Sequence, residues 1–337
     1  MDPRTVHAAV EAIVSPAYLV GGSVRDVLMG RPCDDYDFAT PLLPDRVEEL
    51  VRAAGRRPYL VGKRFGTVGF TIEGRKVEVT TFRAETYVDD TRRPHVEFLA
   101  DLTADLARRD FTINAIAMDA KMIIDPFDGR ADIEARLVRA VGNPRERFKE
   151  DPLRMLRAAR LASQLGFVVD PPTAEAMRRY AHRILNVARE RWVAELDKLL
   201  VGEDVSSALE LLASTHLLRF MLPELALQVG FNQNSAYHDR TLFEHTVAVV
   251  VATPPDVTLR WAALLHDIAK PYVRVDKPDR STYAKHDLLG AELAERTGLY
   301  LKWSKVRRET IRELVRDHML TTSPLKVADD SAKAPRH

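Results

Sequence analysis

The chain has 337 residues and a mass of 38.0 kDa, a length that suggests roughly two or three domains with a real core. Hydrophobic residues at 46% and charged residues at 29% exclude wholesale disorder and a collagen-like repeat, and a single cysteine, Cys33, excludes an intramolecular disulfide framework. With 50 basic residues against 49 acidic ones the net charge is +1, so no global charge argues for a polyanionic partner and local clusters must decide.

No stretch approaches ~18 consecutive apolar residues, and the opening MDPRTVHAAVEAIV carries charges where a signal peptide needs an apolar run. A soluble cytoplasmic protein with no membrane partner is the expectation. AYLVGG (17–22) reads as a short buried strand stopped by two glycines, SVRDVLMG as one or two helical turns, and YDFAT as a second strand after RPCDD. PDRVEELVRAAG reads as a helix, FGTVGFTI and KVEVTTFR as strands, and IDPFDG as a turn. From about residue 144 helix follows helix, as in EDPLRMLRAARLASQLGF and TAEAMRRYAHRIL. The pattern predicts an α+β fold, with a small mixed sheet in a head over 1–138 and an all-α remainder. A polar stretch at 228–240 separates a helical neck and body (139–230) from a further helical domain (231–325), and KVADDSAKAPRH (326–337) reads as a flexible tail.

Three constellations in the first half carry chemistry. The first is Gly21-Gly22-Ser23, Arg25, and Asp35-Tyr36-Asp37. Strand alternation puts Asp35 and Asp37 on one face, within reach of one or two hard cations such as Mg²⁺. A Gly-Gly-Ser turn lets backbone N–H groups and the Ser23 hydroxyl approach phosphate oxygens, with Arg25 as a charged clamp. Together they describe two-metal phosphoryl transfer, against the competing account of a glycine turn beside a solvated acidic loop. The second is RRDFTINA, where Arg108, Arg109 and Asp110 could read a ribose hydroxyl or a phosphate; Asp110 as a helix N-cap is the competing account. The third is Glu150-Asp151-Pro152-Leu153-Arg154, continuing through Arg157 and Arg160. On a helix opened by Pro152, Asp151, Arg154 and Arg157 would lie close to one face. An aspartate accepting from an exocyclic amino group and an arginine donating to a ring acceptor suit cytosine and adenine over uracil and guanine, the competing account being an intrahelical ion pair.

LVGGSVRDVLMGRPCDDYDFAT, RRDFTINAIAMD, DPFDG, EDPLRMLRAARLASQLGF and the ARERWVAEL segment, in this order, resemble the bacterial class II tRNA nucleotidyltransferase and poly(A) polymerase family over roughly residues 17–200. The resemblance implies a nucleotidyltransferase head of polymerase beta-like type with catalytic Asp35 and Asp37 holding Mg²⁺. It places Gly22 and Arg25 at the triphosphate, Arg109 and Asp110 at the ribose, and Asp151 and Arg154 as a protein template, with Arg157 and Arg160 nearby on the nucleotide. Its implied partners are ATP, CTP and the 3′ end of tRNA, and its implied activity is the addition of C, C and A. An A-adding, CC-adding or poly(A) relative of the same fold is the alternative; the segment TYVDDTRRPHVEF keeps a loop region that CC-only relatives tend to shorten. DPFDG (125–129) resembles the family's hinge between head and neck. Glu78 is a candidate third carboxylate, with an exposed strand glutamate as the preferred account.

Histidines gather in the last third: His238, His245, His266, His286 and His318 are half of the 10 in the chain. His245 followed by His266-Asp267 in LLHDIAKP resembles the HD phosphohydrolase signature, which implies a divalent transition metal (Ni, Co, Mn or Fe) and hydrolysis of an RNA-end phosphate. His286 and His318 are candidate further ligands, and Lys270 a candidate phosphate contact. The signature's final aspartate has no secure position, Asp287 and Asp317 being the candidates. Relatives with this arrangement often continue past the HD region, whereas this sequence stops at His337.

Overall fold

The computed structural model describes residues 3–33, 35–86, 95–98, 101–234 and 240–320, together with 325, 326 and 328. His238, most of the TYVDDTRRPHVEF loop and nearly all of the tail lie outside the described residues. The chain divides into two compact units, Met1–Asp151 and Pro152–His337.

The first unit contains α1 (Pro3–Glu11), β1 (Tyr18–Val20), α2 (Gly22–Leu28), β2 (Asp35–Thr40), α3 (Pro44–Ala53), β3 (Thr67–Ile72), β4 (Arg75–Thr81), β5 (Arg83–Thr86), β6 (His95–Phe98), α4 (Leu102–Ala107), β7 (Ala117–Met118), β8 (Ile123–Ile124), α5 (Gly129–Glu134) and α6 (Pro144–Glu150). Six strands form one mixed sheet in the order β3-β4-β2-β1-β7-β8, with β2 and β4 parallel and the other neighbours antiparallel. β5 and β6 pair separately. Strand alternation sorts the two faces. Tyr36 and Phe38 of β2 and Val77 and Val79 of β4 are at most 1% exposed and pack with Val6, Val10, Val47 and Val51 of α1 and α3. Burial of each such large side chain contributes about 1.5–3 kcal/mol. The alternate residues of β2 and β4, Asp35, Asp37, Lys76 and Glu78, therefore share the opposite face.

DPFDG lies inside this unit as a capped corner, which corrects its reading as a hinge. The Asp125 carboxylate accepts the backbone N–H groups of Gly129 and Arg130 at 2.8 and 2.9 Å, and a Cβ on Gly129 would stand 2.2 Å from the Thr112 carbonyl oxygen. Only glycine lets α5 approach the RRDFTINA segment this closely.

The second unit is helical: α7 (Leu153–Leu165), α8 (Pro171–Tyr180), α9 (Arg189–Leu200), α10 (Val205–Ser214), α11 (Leu217–Met221), α12 (Pro223–Ala226), α13 (Leu242–Ala252), α14 (Val257–Leu265), α15 (Lys270–Val273), α16 (His286–Tyr300) and α17 (Lys305–Arg316). Thr241 and Glu244 form a capping box on α13, and Asp256 accepts the first N–H groups of α14. Trp261 and Trp303 meet edge to face at 4.8 Å, and the Trp261 indole N–H donates to Asp197, which also holds Arg307. Among the described residues no helix is long and apolar enough to cross a membrane.

Candidate active site and histidine cluster

In the first unit, the β2–β4 register sets Asp37 beside Glu78 and Asp35 beside Lys76. Glu78 is half-buried and paired to the Lys76 ammonium at 2.5 Å, so it is a neighbour of Asp37 and not a fully solvated strand residue. Asp37 keeps solvent access on one side, yet partial loss of hydration, followed by repulsion from Glu78, pushes its carboxyl above the usual range; Arg109 pulls the other way and Asp35 adds to the rise. An all-oxygen set in which the Asp37 carboxyl is raised by its neighbours fits a hard divalent cation, which would offset that repulsion.

The Gly-Gly turn ends β1, the strand paired to β2 on the side away from β4. Gly21 adopts φ +71°, a conformation that favours glycine, and the Arg109 Nη1 stands 2.9 Å from where a Cβ would be, so a larger residue would also displace the guanidinium. The Ser23 hydroxyl donates to the Asp35 carbonyl and accepts the Asp37 N–H, each at 3.1 Å, pinning the start of β2 to α2. Arg25 donates to Asp26 at 2.8 and 2.9 Å and to the Asn114 Oδ1 at 2.7 Å, and the Asn114 amide donates in turn to Asp110 at 3.1 Å. Asp110 also accepts the Phe111 N–H at 2.8 Å, but it caps no helix: the short 3-10 turn over Thr112–Asn114 starts from Phe111 and has no side-chain cap. Arg108 and Arg109 both donate to Asp105, which is 1% exposed. Burial opposes its ionisation, but Arg109 and Arg108 outweigh that effect and hold the Asp105 carboxyl below its ordinary value.

Sequence reasoning missed Asp105, Asn114 and the positioning part of Ser23. The spacing of Asp105 four residues before Arg109 was the available signal for one of them. For Asn114 there was none, because its partner Arg25 lies 89 residues away in the chain.

The EDPLR reading needs a correction. Asp151 is extended, at φ −138° and ψ 102°, and closes α6; it does not lie on the helix carrying Arg154. Pro152 disfavours helical backbone at the residue before it. α7 begins after Pro152, with Arg154 8% exposed and Arg157 half-buried. Arg160 pairs with Glu195 of α9 at 2.6 Å and donates to Gln164 at 3.0 Å.

The histidines converge on Asp267, at the end of the apolar α14. Its Oδ2 lies 3.1 Å from His266 Nε2, 3.6 Å from His245 Nε2 and 2.6 Å from Lys270 Nζ, and its Oδ1 lies 3.3 Å from His286 Nε2 and 3.8 Å from His318 Nε2. His266, His286 and His318 each direct Nδ1 at the carbonyl three residues back, at 2.6–2.7 Å, which makes Nδ1 the protonated nitrogen and leaves Nε2 turned inward as a ligand atom. Burial, with His266 alongside, lowers the His318 imidazole to about 4, against the pull of Asp267, so it stays neutral as a ligand must. Burial opposes the charge on Asp267 too, but His266 and Lys270 hold its carboxyl well below the ordinary value. Two three-residue groups thus share one aspartate: His245, His266 and Asp267, and Asp267, His286 and His318. Neither candidate for a final aspartate joins either group among the described residues; Asp317 pairs with Arg316 at 2.8 Å instead. Lys270 is turned to Asp267 and to Gln233 at 3.3 Å.

Three family models match the chain: the Poly A polymerase head domain over residues 17–139, the probable RNA and SrmB-binding site of polymerase A over 166–228, and the HD domain over 242–334. The crystal structure of the Bacillus stearothermophilus CCA-adding enzyme in complex with CTP is 31% identical, with a TM-score of 0.62, over 99% of this chain and 82% of that one. The chain belongs to the tRNA nucleotidyltransferase and poly(A) polymerase family. Membership accounts for the two units: a nucleotidyltransferase head with a small mixed sheet, then helices ending in an HD-type region. Among other members, the Geobacillus kaustophilus CCA-adding enzyme is 47% identical over 222 residues, which are 65% of this chain and 54% of that protein. A tRNA nucleotidyltransferase solved with a primer tRNA and an incoming ATP analogue is 26% identical, with a TM-score of 0.61, over 94% of this chain and 92% of that one. The chain spans about half the length of the curated relatives it matches.

Proposed function

We propose that this protein adds C, C and A to the 3′ end of tRNA from CTP and ATP, in the cytoplasm and without a nucleic-acid template. The observation that carries the reading is the carboxylate face of Asp35, Asp37 and Glu78 beside the Gly21-Gly22 turn that ends the neighbouring strand β1, an arrangement that sets an acceptor for cations next to Arg25 and Arg109. Relatives solved with CTP, and with a primer tRNA and an ATP analogue, support the same substrates. Asp35 and Asp37, with Glu78, are the residues that would hold Mg²⁺; when bound it supplies neutralisation of the triphosphate and a more acidic attacking hydroxyl.

In the reaction the 3′-oxygen of the acceptor forms a bond to the α-phosphorus, the bond from that phosphorus to the bridging oxygen breaks, pyrophosphate leaves, and the hydroxyl proton passes to solvent. Arg25 carries positive charge to the phosphates, Gly22 leaves the backbone open beside it, and Arg109 stands with Asp110 toward the ribose. Asn114 and Asp105 hold the two arginines in place. Ser23 positions the β2 carboxylates through its two backbone hydrogen bonds. Asp110 sits at the ribose. Asp151 and Arg154 read the base, with Arg157 beside them and Arg160 braced on Glu195. By function the chain divides into a head (1–138), a neck and body (139–230), an HD-type domain (231–325) and a tail (326–337).

Extension of tRNA lacking its 3′ CCA, with CTP alone, ATP alone and both, tests the product. CTP alone should add two residues and the pair three; an A-only ladder would establish the poly(A) alternative. In the same assay, Asp151→Ala with Arg154→Ala should reduce the preference for CTP and ATP over UTP and GTP by about tenfold or more, since a mispaired buried donor or acceptor costs about 1–3 kcal/mol. An unchanged preference would place base selection elsewhere.

A second reading concerns the histidine cluster. We infer that Asp267 and its four histidines hold a divalent transition metal, one of Ni²⁺, Co²⁺, Mn²⁺ or Fe²⁺, because imidazole nitrogens favour these ions over Mg²⁺. Such a site would support hydrolysis of a phosphomonoester or a 2′,3′-cyclic phosphate at an RNA end. Metal content measured on the purified wild type after loading with each ion should exceed that of His266→Ala and Asp267→Ala. Equal content in all three proteins would leave the cluster without a metal role.

A further inference from the structure

The sheet order divides the surroundings of the carboxylates into two sides. β1, with the Gly21-Gly22 turn, Arg25 and Arg109, borders β2 on one side; β4 and then β3 border it on the other. If the triphosphate lies toward the arginines, the attacking hydroxyl must approach the same carboxylates from the β4–β3 side. That side has a groove of about 560 Å³, lined by Tyr59, Phe65, Lys76, Glu78 and Arg83 among others, so it is continuous with the carboxylate face through Glu78.

The groove has an unusual surface. Tyr59 is 51% exposed, Val61 96% and Phe65 43%, a run of large apolar side chains left in water next to charged groups. Tyr59 is not a frayed loop residue. Its backbone exchanges two hydrogen bonds with Gly69 of β3, at 2.6 and 3.0 Å, and its hydroxyl lies 3.2 Å from the Thr71 Oγ1. Phe65 has the Arg64 guanidinium 4.5 Å from its ring centroid, and the Arg83 guanidinium donates to the Phe65 carbonyl. Two aromatic faces, held in place and bordered by Arg64, Arg83 and Lys76, fit an unpaired base stacked on a ring with its phosphates near cations.

We propose that this groove seats the 3′-terminal nucleotide of the RNA acceptor, with Tyr59 and Phe65 as stacking faces and Lys76 and Arg83 beside its phosphates. The proposal rests on the reading of the head as a nucleotidyltransferase acting on RNA. It adds the residues that hold the nucleophile.

Steady-state kinetics with full-length tRNA acceptor separate the two. Tyr59→Leu and Phe65→Leu keep apolar bulk and remove the ring. Each should raise the KM for acceptor about tenfold, with the KM for CTP unchanged, while Tyr59→Phe and Phe65→Tyr stay near wild type. A rise in the KM for CTP instead, or no change in either constant, overturns the groove assignment while wild-type incorporation upholds the reading of the head. A binding measurement covers the case in which the wild type incorporates nothing. An acceptor ending in 2-aminopurine should be quenched by the wild type and not by the double leucine variant; equal quenching by both, or by neither, overturns the assignment.

Discussion

Asp37→Ala and Asp35→Ala should each lower nucleotide incorporation by about 10³-fold or more, the equivalent of about 4 kcal/mol of lost transition-state stabilisation. Both side chains lie on the sheet face opposite the core, whose β2 members are Tyr36 and Phe38. Removing either takes away no packing. It also relieves a repulsion, because Glu78 and Asp35 already oppose the ionisation of Asp37. The variants should therefore unfold at the wild-type temperature or slightly above it, and should retain tRNA, since affinity for RNA comes mostly from phosphate contacts made by basic side chains. Labelled CTP incorporation, thermal unfolding and filter retention of tRNA on the same preparations decide the matter. Near-normal turnover in Mg²⁺ by either variant would remove it from the set of metal-holding carboxylates.

Asp105→Asn should cost about 3 kcal/mol of stability at neutral pH, the lower end of what is seen when one partner of a buried ion pair is removed. Asp105 is 1% exposed and receives Arg108, Arg109 and the Arg83 N–H, so the amide leaves two guanidinium groups without their shared anion. The folded carboxyl is held below the ordinary aspartate value by Arg109 and Arg108, against the effect of burial. A group depressed in this way contributes stability that is fully present above the unfolded value and lost as pH falls through the folded one. The gap between wild type and Asp105→Asn should accordingly be constant from neutral pH down to about 4 and shrink below that. Urea unfolding of both proteins across this range measures it. A gap that does not change below pH 4 would mean that Asp105 acts through shape and not through charge. Because Arg109 stands against Gly21, the same variant should also raise the KM for CTP.

The chemistry of single segments was legible in the sequence, because it depends on spacing along one element. The two-residue period of a strand put Asp35 and Asp37 on one face, and an apolar helix running into His266-Asp267 delivered both groups to its end. The resemblance over residues 17–200 anticipated the family and the α+β fold for the same reason, since its motifs are local. Where a reading assumed that a helix continued, the backbone overruled it: Pro152 forces Asp151 into an extended conformation and off α7.

Everything that depends on two distant segments meeting was decided by tertiary structure. Glu78 became a neighbour of Asp37 through a parallel register between strands 41 residues apart, and no property of its own strand encodes that pairing. Asn114 joined Arg25 to Asp110 because the 3-10 turn packs beside α2. His286 and His318, which begin one helix and follow another, reach Asp267 only because α16 and α17 pack so as to bring both Nε2 atoms to its Oδ1. Periodicity reports which face of an element is apolar, whereas a site built from several elements is set by register and packing, which follow from the fit of whole surfaces.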